Sequence, residues 1–305
     1  MNIEVFFPLL APWIGLSFIL LLVIILLTRK YKAALLLLFL LIAVDCIWRI
    51  FPFKNLYPVG DICFRVFEWN ANYSDRLTQY DANVTSFVLE NNADFVFLSE
   101  YSSTFSPKVD SALCETYPYK REVKNDVLWN DFYSMYPIKS YKVICDNERG
   151  FIFVCDLNFN NIDLRLYCLH LHSNNLVNGE TFYPDSIADR GGIERYLENY
   201  KAASKIRREQ AELIMRDLSD VPCIVMGDMN DVCGSPCMKV FADAGLRDAW
   251  WEGGFGYGAT IHRPLPYRID HVMYGKGLKL KGIKKVSSKG LSDHDALVAD
   301  FTLHR

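Results

Sequence analysis

Residues 223–231 read CIVMGDMND. The opening CIVM has the length and composition of a buried strand, yet glycine, two acidic residues and an amide follow it at once. An apolar core does not accept an ionised carboxylate without a cation, a donor or solvent beside it. Residues two apart on an extended chain face the same way, so Asp228 and Asn230 present a carboxylate and an amide to one point. Other apolar runs also deliver a polar group at or near an end. FVFLSE closes on Glu100, YRIDHV holds Asp270, and GLSDHDALV sets Asp293 and His294 before a strand. Each has a plain structural explanation taken alone: a cap for Glu100 or Asp293, an Arg268 partner for Asp270. Several of them in one chain point to a site.

Outward from this stretch, strand-length runs recur at 62–69, 94–98, 151–157, 162–169, 269–274 and 296–301, rich in Val, Ile and aromatic residues. Helix-like stretches lie between them, notably 79–90 and 201–218; the latter carries Ile206, Leu213, Ile214 and Leu218 as an apolar stripe. The order is mixed α/β, with no internal repeat and no low-complexity linker. The polar connection 173–200, which contains DRGG at 189–192, is longer than an ordinary loop and is a candidate lid. The Lys-rich run 276–285 reads as a solvated strand edge, and GGFGYGAT at 253–260 as a flexible turn, since no Lys follows it as a P-loop requires.

Of the 305 residues 51% are hydrophobic and 23% charged, which excludes disordered and collagen-like chains. The apolar residues are concentrated at the start. Residues 6–28 carry no charge, and 33–44 carry none either. The first stretch meets the ~20 residues that cross a bilayer, and the second reaches that length by continuing to about 53, with Asp45 and Arg49 four apart. The expectation is a transmembrane hairpin, 6–28 and 33–53, within an anchor of residues 1–59, followed by a catalytic domain of residues 60–305. The short basic loop TRKYK between the spans places itself in the cytoplasm and the domain outside it. Residues 1–59 hold five of the 33 basic and two of the 36 acidic residues, which leaves the domain 28 basic against 34 acidic, a net −6. Such a domain is not a sequence-blind coat for DNA, though nucleic acid remains open as a transient substrate.

His170 and His172 share a strand face, which invites a zinc reading. Six histidines in all, no H-E-x-x-H and no cysteine cluster of ligand spacing stand against it. Glu, Asp and Asn with one or two histidines instead suit Mg²⁺ or Mn²⁺. Of the nine cysteines, Cys155, Cys168 and Cys223 lie in apolar strand-like runs; Cys233 and Cys237 are closely spaced in a loop, where a disulfide is open.

In chain order, Trp69-Asn70, Leu98-Ser99-Glu100, Leu169-His170-Leu171, Gly227-Asp228-Met229-Asn230-Asp231, Arg268-Ile269-Asp270 and Ser292-Asp293-His294 resemble the successive motifs of the endonuclease/exonuclease/phosphatase superfamily. Type I deoxyribonucleases, apurinic-site endonucleases, inositol-polyphosphate phosphatases and bacterial sphingomyelinases belong to it. YPI at 136–138 and GLRDAW at 245–250 are similar to bacterial members, and some of these add a membrane anchor. The resemblance implies an α/β (α+β) four-layer sandwich of two packed mixed sheets flanked by helices. Ser99 stands where many members have Gln. The acid that pairs with the first histidine has no clear counterpart, Asp126 and Asp131 being the candidates.

By resemblance, Glu100 binds Mg²⁺ or Mn²⁺ with Asn70 and Asp293. Asp228 orients or deprotonates water and Asn230 holds phosphate or nucleophile. His170 and His294, the latter steered by Asp270, donate to phosphate oxygens. In sequence terms Asp228 and Asp293 are interchangeable as base and ligand. The expected protein is a membrane-anchored, metal-dependent phosphoester hydrolase of the bacterial cell membrane, its substrate a lipid headgroup or small phosphoester, with no obligate protein partner. A tethered nuclease acting on DNA or RNA, a zinc hydrolase and an inactive binding module are the competing readings.

Overall fold

The computed structural model describes residues 3–28, 52, 54, 64–72, 81–102, 104, 106–124, 129–147, 150–174, 176–177, 180–181, 190–262 and 266–303. Two six-stranded sheets pack face to face. The first holds β1 (Phe64–Asn70), β2 (Phe95–Ser99), β3 (Tyr119–Lys124), β4 (Trp129–Ser134), β13 (Leu278–Val286) and β14 (Ala296–Leu303), in the order β13-β14-β1-β2-β4-β3. The second holds β5 (Ile138–Asn147), β6 (Gly150–Phe159), β7 (Ile162–His170), β10 (Cys223–Asp228), β11 (Arg247–Asp248) and β12 (Asp270–Tyr274), in the order β11-β12-β10-β7-β6-β5. Each sheet is mixed: β1 runs parallel to β2 and β10 parallel to β7, with antiparallel pairs elsewhere. A small hairpin, β8 (Leu176–Val177) with β9 (Glu180–Thr181), stands apart from both.

Alternation along the strands builds three apolar layers. Phe64, Val66, Phe95, Phe97, Phe153, Leu166, Ile224 and Met226 meet between the sheets. The opposite faces of β1 and β2, through Phe67, Trp69, Val96 and Leu98, pack against Val84 and Val88 of α2 (Asp81–Leu89) and Val109 and Leu113 of α3 (Pro107–Thr116). On the second sheet Tyr167, Leu169 and Val225 meet Ala211 and Ile214 of α4 (Arg190–Asp217) and Met238 and Phe241 of α5 (Pro236–Asp243). Full burial of such a side chain contributes about 1.5–3 kcal/mol. A one-turn helix, α6 (Ala249–Gly253), is capped by Asp248, whose carboxylate accepts from Trp250 N and Trp251 N. The Lys-rich strand β13 lies at a sheet edge, as its charge pattern requires.

Two expectations need revision, and the open question of the loop cysteines is answered. Among the described residues no helix is long and apolar enough to cross a membrane. The stretch 6–28 does lie within a helix, α1 (Ile3–Thr28), but Val5, Phe6 and Leu9 are buried against Tyr200 and Val232. The second span, 33–53, falls outside the described residues except for Pro52, so the expected hairpin is unsupported. The 173–200 connection is not wholly loop, because α4 begins eleven residues before the expected 201: Leu197 packs toward α1, Tyr200 is buried there, and Ala203 and Arg207 continue the same buried stripe. Cys233 and Cys237 are both free thiols; Cys237 faces the apolar layer under α5.

Candidate active site

Strand register brings the site together. His170, Asp228 and Asp270 are lateral neighbours on β7, β10 and β12, and all point into the gap between the sheets. Across that gap, Asn70 and Ser99 are register partners at the ends of β1 and β2. Gly227 permits this close approach: with φ at +142°, a Cβ there would sit 1.8 Å from Leu169 O. Glu100 and Asn230 follow their strands with φ of +49° and +50°, conformations uncommon for residues with a Cβ.

Asp228 is the centre. The Asn70 amide donates to both Glu100 Oε1 and Asp228 Oδ2 at 3.0 Å. His170 Nε2 lies 3.4 Å from Glu100 Oε1 and 3.8 Å from Asp228 Oδ2. On the other flank His294 Nε2 is 4.0 Å from Asp228 Oδ2, and His294 Nδ1 is 2.8 Å from Asp270 Oδ2. The second oxygen of Asp228 accepts from Asn230 N at 2.7 Å, while the Asn230 amide donates to Leu171 O at 3.0 Å. Glu100, His170 and Asp228 form one set whose ligand atoms lie within 4.8 Å of one another; Asp228, Asp270 and His294 form a second.

Burial dominates the electrostatics. It pushes the Asp228 carboxyl up to about 6, Asp270 adds repulsion, and His294 and His170 oppose it. Burial pulls the other way on His294, but the charge and hydrogen bond of Asp270, then Asp228 and Asp293, carry its pKa well above the ordinary histidine value. Two carboxylates and an imidazole converging from different strands fit a hard divalent cation, and the raised Asp228 pKa marks a carboxylate short of positive charge.

Of the residues singled out from the sequence, Asn70, Glu100, His170, Asp228, Asn230, Asp270 and His294 converge. Asp293 is exposed and accepts from the Asn72 amide at 2.8 Å, outside both sets. His172 also falls outside them: its backbone is held by Gln210 and Arg207. Asp131, proposed for His170, lies on the helix side of the first sheet, where Lys120 Nζ is 3.3 Å and Tyr133 Oη 3.1 Å away. Asp126 is outside the described residues.

Sequence reasoning passed over Glu68, a charge within the apolar run FRVFEW. It is fully buried, neither carboxylate oxygen has a hydrogen-bond partner, and burial, then Asp270 and Asp228, push its pKa well up. It also passed over supporting groups. Thr260 Oγ1 accepts from Ile269 N and Asp270 N at 3.2 Å, Ser292 Oγ donates to Asn70 O at 2.8 Å, and Trp69 Nε1 donates to His294 O at 3.1 Å. Hydroxyls and indoles are too common in sequence to flag such roles without a fold.

Two packed mixed sheets flanked by helices, with a carboxylate–histidine centre at their shared strand ends, define a hydrolase of the phosphoesterase and nuclease type. The chain belongs to the Endonuclease/Exonuclease/phosphatase family, whose description matches residues 67–294. Solved structures share the fold. The human Nocturnin catalytic domain with bound sulfate is 16% identical, with a TM-score of 0.60 over 82% of this chain and 97% of that one. TDP2 from D. rerio complexed with a single strand DNA product is 15% identical, with a TM-score of 0.58 over 78% and 98%. A family protein from Bacteroides vulgatus is 16% identical, with a TM-score of 0.56 over 79% and 99%. No curated protein matches the chain by sequence.

Proposed function

We propose that this protein is a membrane-tethered, Mg²⁺- or Mn²⁺-dependent phosphoester hydrolase acting on a lipid headgroup or small phosphoester. The observation that carries the chemistry is the position of Asp228, shared by both sets of ligand atoms and bracketed by two histidines. Glu100, Asp228 and His170 would hold the cation, with Asn70 bridging the two carboxylates and Asp293 available from the rim. When bound, the cation supplies positive charge to the phosphoryl oxygens.

The chain's own groups do the rest. Asp228, its Oδ1 fixed by Asn230 N, orients water and takes its proton. Asp270 fixes the His294 ring, so Nε2 faces Asp228 and carries a proton for a phosphate or leaving oxygen. The tether is supported by the uncharged residues 6–28 and the basic TRKYK, the extracytoplasmic placement by the same charges. The net −6 of residues 60–305 favours lipid or small phosphoesters over duplex DNA.

One side-by-side panel tests this: plasmid, single-stranded oligonucleotide, phospholipid vesicles and inositol phosphates, with Mg²⁺ or chelator, and Asp228→Asn as the blank. Turnover of lipid or inositol phosphate above the blank is expected, lost in chelator. Nicking of plasmid alone would make this a tethered nuclease; full activity in chelator would end the metal reading.

A further inference from the structure

Three apolar segments far apart in sequence meet beside the active site. The first is α1. Its early turns are docked: Val5, Phe6 and Leu9 pack on Tyr200 and Val232, and Trp13 Nε1 donates to Tyr267 Oη at 3.2 Å. The second is Pro52, whose carbonyl accepts from Gly256 N at 2.7 Å. The third is the loop 253–258, in which Trp250 Nε1 donates to Gly256 O at 3.0 Å and Tyr257 lines a small cavity with Pro8 and Pro12. At the loop's tip Phe255 is 59% exposed.

The outward side of α1 is mostly apolar over residues 7–21, with Ser17 its exposed polar residue among those described. Phe7, Leu10, Leu16, Ile19, Leu20 and Leu21 are all exposed, and no charged residue occurs between Glu4 and Arg29. The helix does not span a bilayer. Gly15 is the last buried position among the described side chains, and Leu16 to Thr28 then extend only about 20 Å at 1.5 Å per residue, against ~30 Å of hydrocarbon. Too short to span, the helix buries its apolar side in lipid only by lying in the interfacial layer, with its docked turns and the loop beside them. Beside Phe7 and Pro8 a cavity of about 480 Å³ is rimmed by Arg208, Lys239 and Asp243, the lysine paired with Asp243 at 2.9 Å and the arginine with Glu212 at 3.1 Å, a polar rim suited to headgroup level above an apolar layer.

We propose that the outward side of residues 7–21 and the tip of the 253–258 loop form one bilayer-contacting face, and that the domain sits with this face in the interfacial layer. An uncharged helix that leaves the patch and continues as apolar sequence identifies the occupant as lipid rather than a second protein. The face lies next to the chemistry. The loop leads into Thr260, which holds Asp270 N, and Ile261, which bridges to both Tyr267 and His294. A phosphoester at the bilayer surface is therefore close to the two histidines; this consequence for substrate rests on the phosphoesterase reading, whereas the seating does not.

The test uses the full chain in phosphatidylcholine vesicles. Phe255→Trp adds an indole at an exposed position that tolerates it, and its extra emission over the unsubstituted protein is compared with plain and with acyl-brominated phosphatidylcholine. Quenching of roughly half or more of that extra emission is expected from an indole at the acyl boundary. Unquenched emission, whether water-exposed or covered by another protein chain, overturns the proposal. In Phe255→Asp the ratio of phospholipid to soluble phosphodiester hydrolysis falls about tenfold or more; an unchanged ratio removes the link to substrate. Quenching in a protein that hydrolyses nothing with Mg²⁺ keeps the seating and refutes the phosphoesterase reading alone.

Discussion

His294 and His170 flank Asp228 from opposite sides, and their surroundings differ. His294 Nδ1 is held at 2.8 Å by Asp270, a fully buried carboxylate on the adjoining strand of the second sheet. His170 Nδ1 is buried and has no hydrogen-bond partner, and its Nε2 approaches Glu100 at 3.4 Å. A carboxylate behind an imidazole fixes ring and tautomer and favours the charged form. The difference assigns the proton-bearing role to the His294 side and the cation-facing role to the His170 side, with Asp228 common to both.

The largest effect is expected where the two sides join. Asp228→Asn keeps the shape and removes the shared charge, so kcat falls at least about a hundredfold, roughly 3 kcal/mol of barrier. The same variant should lose most of the stabilisation by Mg²⁺, about 2.7 kcal/mol at a hundred times Kd for the unsubstituted protein. Melting curves with and without Mg²⁺ measure it. An undiminished shift in Asp228→Asn would place the cation elsewhere.

Next in size is Asp270→Asn, expected to lower kcat by about tenfold to a hundredfold. The sign of its pH effect follows from the raised His294 pKa. The proton is fully present below the ordinary histidine value and is lost as pH rises through the raised one, so the alkaline limb of the unsubstituted enzyme lies high. Without the Asp270 charge that limb moves down toward the ordinary value. A profile of kcat/KM against pH with an unmoved limb would break the comparison. His170→Gln sharpens it from the other side: a loss of about tenfold, seen mainly as a higher Mg²⁺ requirement, with the alkaline limb in place.

Much of this arrangement was legible because polar residues at the ends of apolar strands are hard to explain otherwise. Glu100, Asp228, Asp270 and His294 each follow or interrupt a run that alternation marks as buried, and register then aligns them. Edge elements were harder. Strands β3 and β5 carry exposed lysines, Lys124, Lys139 and Lys142, among their apolar residues, and Tyr119 and Tyr141 remain exposed, so neither shows a clean period. The start of α4 was hidden because its polar first turns are fixed by Leu197 and Tyr200 against α1, at the far end of the sequence. Which side of a sheet an acid occupies depends on register with a neighbour, and so the candidate partner of His170 was misplaced.

That partner gives the smallest expected effect on catalysis. Asp131 pairs in register with Leu98 and Glu122, and its side chain points with Tyr133 toward the helix layer, away from the inner face that carries His170. Asp131→Asn should therefore change kcat by less than about threefold, since it leaves every group near Asp228 in place. It does carry a signature in stability. Burial, only partly offset by Lys120, pushes the Asp131 carboxyl from the ordinary carboxylate range up to about 6. A carboxyl raised in the folded state contributes stability that is present below the lower value and is lost as pH rises through the higher one. Chemical denaturation of the unsubstituted protein should show this component declining across that interval, and Asp131→Asn, having nothing to titrate there, should show a flatter curve. Lys120 keeps Asp110 at 2.6 Å in the variant, so the cation is not left alone. A fall in activity as large as that of His170→Gln, with the alkaline limb displaced, would instead tie Asp131 to the histidine across the sheet.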